Sequence, residues 1–169
     1  MRRGLSAAAM ARVARLVTCA TVALLAPLGA PAAAAALIQV DKGIAGARLG
    51  NSRAEVRTAL GSPNRVISGT NDFGLFVDYR YRGGVRVLFQ GRTKVTSVST
   101  TGRGDRTTRG VGVGSLESTV KKRVPGVKCE TFAGVRSCHT GAFDPGRIVT
   151  DFMLRKGRVT RVTVGRVID

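Results

Sequence analysis

The sequence predicts an α+β fold of two tandem repeats, each a short helix packed on a four-stranded antiparallel sheet. Three observations predict it. An export-type leader sets residues 1–36 apart from the rest, and the remaining chain matches itself without gaps at an offset of 64. In each copy a glycine-led turn precedes one narrow helical stripe and four alternating segments separated by turn residues.

The leader comes first in the chain. Arg2, Arg3, Arg12 and Arg15 form a basic region, residues 16–28 an apolar run, and the alanines of residues 32–36 offer several A-x-A cleavage positions. The run is short, and Pro27 and Pro31 close it, which does not suit a membrane span. Arg2-Arg3 lacks the usual neighbours of a twin-arginine signal. "LVTC" at residues 16–19 has Arg12 and Arg15 where a lipoprotein signal needs apolar residues, so Cys19 goes with the discarded leader. No later segment is long and apolar enough to cross a membrane. Residues 1–36 are thus the signal peptide, 37–103 the first repeat and 104–169 the second; the 133 residues left of 169 suffice for one domain or two small ones.

The offset pairs Gly46 with Gly110, Gly50 with Gly114, Val56 with Val120, Leu60 with Val124 and Val98 with Val162. In the first copy, Ser52 and Glu55 form an S-x-x-E capping box. Val56 and Leu60 lie one turn apart on the helix that follows, and "GSP" at residues 61–63 ends it. Strands follow at about 64–69, 74–82, 84–90 and 94–101. Alternation is clearest in "VDYRYR", where Val77, Tyr79 and Tyr81 share one face and Asp78, Arg80 and Arg82 the other. The loops are too short for parallel crossovers. Residues 100–110 form a polar linker whose Arg103-Gly104-Asp105 string, in a chain rich in Arg and Gly, reads as coincidence and not as an adhesion motif.

The second copy opens on "GVGVGS" at residues 110–115. Its counterpart "GARLGN" keeps only the outer glycines, and no Lys-Ser or Lys-Thr pair follows, so the stretch reads as a turn into a helix rather than a phosphate cradle. Ser115 is positioned to cap that helix alone. Leu116, Val120 and Val124 make its stripe, "PG" at residues 125–126 stops it, and strands are expected at about 127–132, 135–139, 147–154 and 158–167.

Cys129 and Cys138 test this layout. With Ala133 and Gly134 at a hairpin tip, the two cysteines fall opposite each other, and an exported chain favours a bridge. Their separation does not suit C-x-x-C redox chemistry. His139 is the only histidine, and no H-E-x-x-H, paired C-x-x-C or G-x-S-x-G spacing occurs. Glu55 and Glu117 sit in first helical turns, where the helix dipole favours them; Asp144 has a turn residue's neighbours; Asp78 and Asp151 lie on separate strands. The expectation is a non-enzymatic chain with no metal ion and no cofactor.

"LGNSRAEVRTALGSP" at residues 49–63 resembles the glycine-led helix motif of the SmpA/OmlA (BamE) domains of bacterial envelopes. The tandem arrangement resembles the β-lactamase inhibitory protein (BLIP-like) fold. The resemblance implies a module that works by presenting a surface, with inhibition of an extracellular enzyme as the second reading. None of the inhibitor's contact residues carries over, because its aromatic-rich face has no counterpart in a chain with no Trp, two Tyr and six Phe.

Charge supplies the leading functional expectation. Four of the 28 Lys and Arg lie in the leader, leaving 24 against 10 Asp and Glu, a net charge near +14. Such a field favours an acidic protein or an anionic envelope polymer, without specific nucleic-acid recognition. A solvated basic surface that merely follows composition competes with it. Strand alternation, helix exposure and turn position select Arg80, Arg82, Lys121, Lys122, Arg123, Arg155, Lys156 and Arg158 as the binding candidates.

Overall fold

The computed structural model describes residues 37–168; the predicted leader, Cys19 included, lies outside the described residues. The described elements run β1 (Leu37–Gln39), β2 (Gly43–Ile44), β3 (Ala47–Arg48), α1 (Arg53–Leu60), β4 (Arg65–Asn71), β5 (Gly74–Arg80), β6 (Arg86–Gln90), β7 (Ser97–Thr100), β8 (Arg106–Thr107), α2 (Glu117–Arg123), β9 (Lys128–Phe132), β10 (Val135–His139), β11 (Ile148–Arg155) and β12 (Arg158–Arg166). No described helix is long and apolar enough to cross a membrane.

The expected fold class is corrected here. The fold is mostly β: one continuous eight-stranded antiparallel sheet, ordered β4-β5-β6-β7-β12-β11-β10-β9, plus a four-stranded mixed sheet, β3-β2-β1-β8. It is not two tandem helix-on-sheet repeats. β7 and β12 pair antiparallel with Val98 opposite Val164, so the strands expected to form two separate sheets join edge to edge. Joining removes two exposed edges, each of which would otherwise present unpaired amides and carbonyls.

One hydrophobic core follows from one sheet. Val77, Tyr79, Val87, Phe89, Val98, Phe152, Leu154, Val159, Val162 and Val164 line one face of the large sheet, and Ile38, Ile44, Val56, Val111, Val120 and Val124 come down on it from the small sheet, the helices and their approaches. Val159 and Val162 are three residues apart and would face opposite sides in strict alternation. The register shift between Met153 and Leu154 sets Leu154 opposite Val159 and Met153 opposite Arg161, and both valines are buried.

Residues 94–95 do not continue β7 inward as expected. Val95 exchanges backbone hydrogen bonds with Gly50 and Asn51 ahead of α1, and Val159 does the same with Gly114 and Ser115 ahead of α2. The 64-residue offset therefore marks a shared local pairing between helix approach and strand, not two self-contained units. At α1 the capping box is present: Glu55 N–H donates to Ser52 Oγ at 3.3 Å and Ser52 N–H to Glu55 Oε2 at 2.6 Å. At α2 the expectation for Ser115 is corrected. Leu116 is the N-cap residue with no side-chain cap, and Ser115 Oγ instead accepts from Gly112 N–H. That turn needs glycine in the middle, because a side chain at Gly112 would run into the carbonyl of Asp105.

Candidate anion-binding surface

The expected binding residues fall into three places. Arg80 lies on the sheet face opposite the core, where its Nε donates to Asp78 Oδ2 at 3.0 Å while Arg86 Nε takes Oδ1 at 2.8 Å. Asp78 is 1% exposed, so Arg80 is committed to neutralising a buried charge. Arg82 starts the turn between β5 and β6 and anchors it by donating its backbone N–H to Asn64 Oδ1 at 2.7 Å. Lys121, Lys122 and Arg123 lie along α2: Lys121 pairs with Glu117 at 2.8 Å, Lys122 is exposed, and Arg123 and Arg109 donate to each other's backbone carbonyls.

The third place brings residues together. Arg155 and Arg158 are paired across a two-residue loop whose members, Lys156 and Gly157, have φ of 50° and 72°. That tight turn holds three cations on four residues. Opposite it, Asp105 accepts from the Thr100 hydroxyl and Gly102 N–H donates to the same Thr100 Oγ1 at 2.9 Å, which fixes the loop carrying Arg103. Arg103, Arg155, Lys156 and Arg158, with Thr101 and Thr160, line a depression of about 450 Å³ that has no carboxylate in its lining. Arg158 Nη1 is steadied by Gly114 O at 3.1 Å. Arg103 was missed because its Arg-Gly-Asp context was set aside as a whole. The burial of Asp105, 6% exposed, removes the acidic member of that string from the surface and leaves its arginine there.

Cys129 and Cys138 are directly opposite on β9 and β10 and form the expected disulfide. Such bridges persist in chains that meet an oxidising environment. Glu117, Cys129 and Cys138 are the only described trio close enough to hold a metal ion, but both sulfurs are spent in the bridge. The Glu117 carboxylate is held by Arg136 and Lys121, whose hydrogen bonds bring its pKa down to about 2. Cys138 faces the core and the adjacent His139 the opposite side, where its Nδ1 lies 3.1 Å from Gly141 O and its Nε2 3.0 Å from Glu130 Oε1.

No protein-family model matches the chain, and no curated protein matches it. Among solved structures it is similar to an extracellular protein containing an SCP domain from Bacillus anthracis str. Ames, with TM-score 0.51 and 12% identity over 70% of this chain and 44% of that one. It is similar also to the uncharacterized protein yfeY from Escherichia coli, with TM-score 0.52 and 14% identity over 76% of this chain and 100% of that one. The chain thus spans less than half the length of the first, and at these identities the likeness is one of fold. The expected kinship with SmpA/OmlA (BamE) domains and with the BLIP-like fold is corrected by these two neighbours, neither of which is either. Residues 49–63 misled because a capping box closed by a glycine is local helix chemistry that many folds use.

Proposed function

We propose that this chain is an exported, non-catalytic interaction module that engages an acidic protein or an anionic envelope polymer through the basic end of its large sheet. One observation carries the reading: Arg103, Arg155, Lys156 and Arg158 converge on a single depression without an acid among its lining residues. Cations held this way keep their charge for a partner, whereas Arg80 and Lys121 spend theirs on Asp78 and Glu117. The disulfide and the leader pattern support export. The overall positive charge adds long-range attraction toward the same kind of partner.

The test is retention of the mature chain on envelope extract and on a defined anionic polymer across a salt series. Retention at about 50 mM salt that falls steeply by about 200 mM is expected. An Arg155→Ala/Arg158→Ala double variant should elute earlier, and Lys122→Ala should elute with the parent. No retention at low salt overturns the proposal.

A further inference from the structure

The sheet face opposite the core carries a second site of contrary chemistry, which shares no lining residue with the basic depression. A cavity of about 570 Å³ opens there over β9, β10 and β11, with Phe132, Val135 and Phe143 as walls and Glu130, Ser137 and Asp151 as polar floor. Its volume lies in the range of small-molecule pockets, and such pockets pair apolar walls with a few placed polar groups. The walls are open to solvent: Phe132 is 81% exposed and Phe143 53%. Large apolar side chains clustered around a polar floor mark binding surfaces more often than isolated exposed ones do.

The floor is short of donors. Asp151 Oδ1 is buried with no hydrogen-bond partner. Burial raises the Asp151 pKa, opposed by the Ser137 hydroxyl and by His139. Glu130 is already engaged by His139 Nε2 at 3.0 Å. His139 is fixed in turn by Gly141 O and by the Phe143 ring, 4.6 Å between centroids. No Lys or Arg lines this cavity, although the chain carries 28 of them. An anion would face two carboxylates there with the Ser137 hydroxyl as the one lining side-chain donor, and a purely apolar occupant would cover those carboxylates without pairing them.

We infer that this cavity is a binding site for a small amphiphilic amine, its ammonium paired with the Glu130 and Asp151 carboxylates that line it and its apolar portion lying between Phe132 and Phe143. The ammonium supplies donors and a charge opposite to both carboxylates, and the aromatic faces accommodate both the apolar portion and the adjoining cation. This goes beyond the anionic-partner reading and uses none of its residues.

The experiment titrates the full mature chain with three probes of matched size, phenethylammonium, phenethyl alcohol and phenylacetate, followed by backbone and aromatic NMR shifts. Phenethylammonium should move the resonances of Phe132, Phe143 and Asp151 and bind at least about tenfold more tightly than the alcohol, with no saturable shift from phenylacetate. Asp151→Asn should weaken amine binding about tenfold while leaving thermal stability unchanged or higher, since it removes a charge that burial opposes. Phe132→Ala, at a solvent-exposed position, should also weaken it, and Arg155→Ala/Arg158→Ala should not. Equal binding of amine and alcohol, amine shifts confined to other residues, or full affinity in both Asp151→Asn and Phe132→Ala would overturn the inference.

Discussion

Ala133 and Lys156 each open a two-residue hairpin loop, followed by Gly134 and Gly157, and each has a positive φ, 46° and 50°. Both loops need the left-handed region at both positions, which suits Asn or Gly and opposes a residue with an ordinary Cβ. Ala133→Asn is therefore expected to raise stability by roughly 0.5–1 kcal/mol, read as a higher midpoint in denaturant. Lys156→Asn should stabilise in the same sense while removing one of the four cations of the basic depression. Stability and retention on anionic polymer should then move in opposite directions, and retention equal to the parent would exclude Lys156 from the binding surface.

Glu117 gives a second outcome at this level. Arg136 and Lys121 hold it at about 2, below its ordinary 4.5. A depressed carboxylate contributes stability that is fully present above its unfolded value and is lost as pH falls from about 4.5 toward 2. Glu117→Gln should flatten that part of the acid-unfolding profile and leave the slope at neutral pH unchanged. An acid limb parallel to the parent's would show that the pairing with Arg136 does not persist in solution.

The hairpin of β9 and β10 is where the sequence was most informative about an element. β9 is an edge strand with most of its residues exposed, so burial contributes little to holding it. The bridge between Cys129 and Cys138 compensates, and opening it by reduction or by Cys129→Ser/Cys138→Ser should cost about 2–3 kcal/mol on loop-entropy grounds. Thermal melts with and without reductant check this, and amide exchange should rise first at residues 128–139. Its register could be read in advance because a short tip fixes every pair once its position is known, and Val135 opposite Phe132 follows from the same tip as Cys138 opposite Cys129. Ser115 shows the opposite case. Its residue type suits a cap, but the close turn around Gly112 supplies an amide donor that competes for the same oxygen, and composition does not report that geometry.

Strand faces were legible where alternation is unbroken, since it places Val77 and Tyr79 on one side and Asp78 on the other whatever their partners, but not across the register shift that buries both Val159 and Val162. Strand order was not. The seam between β7 and β12 joins residues about 64 apart in sequence, and two runs of four strands with matching patterns are as compatible with two small sheets as with one large one. The basic depression was half legible for the same reason: Arg155, Lys156 and Arg158 are one local cluster, whereas Arg103 reaches them only through the fold. The seam has a thermodynamic consequence. Because Val98 and Val164 are both fully buried and directly paired, neither half of the sheet completes its core without the other. Unfolding should be a single cooperative transition. The two tyrosines, Tyr79 and Tyr81, both lie before the seam, so their fluorescence reports on that side alone, and amide exchange in β11 reports on the other. The two probes should give coincident midpoints, and Val98→Ala, which leaves a cavity at the seam worth about 2 kcal/mol, should lower both by the same amount. If only the tyrosine signal moved, the halves would be folding independently and the joined sheet would not be the cooperative unit.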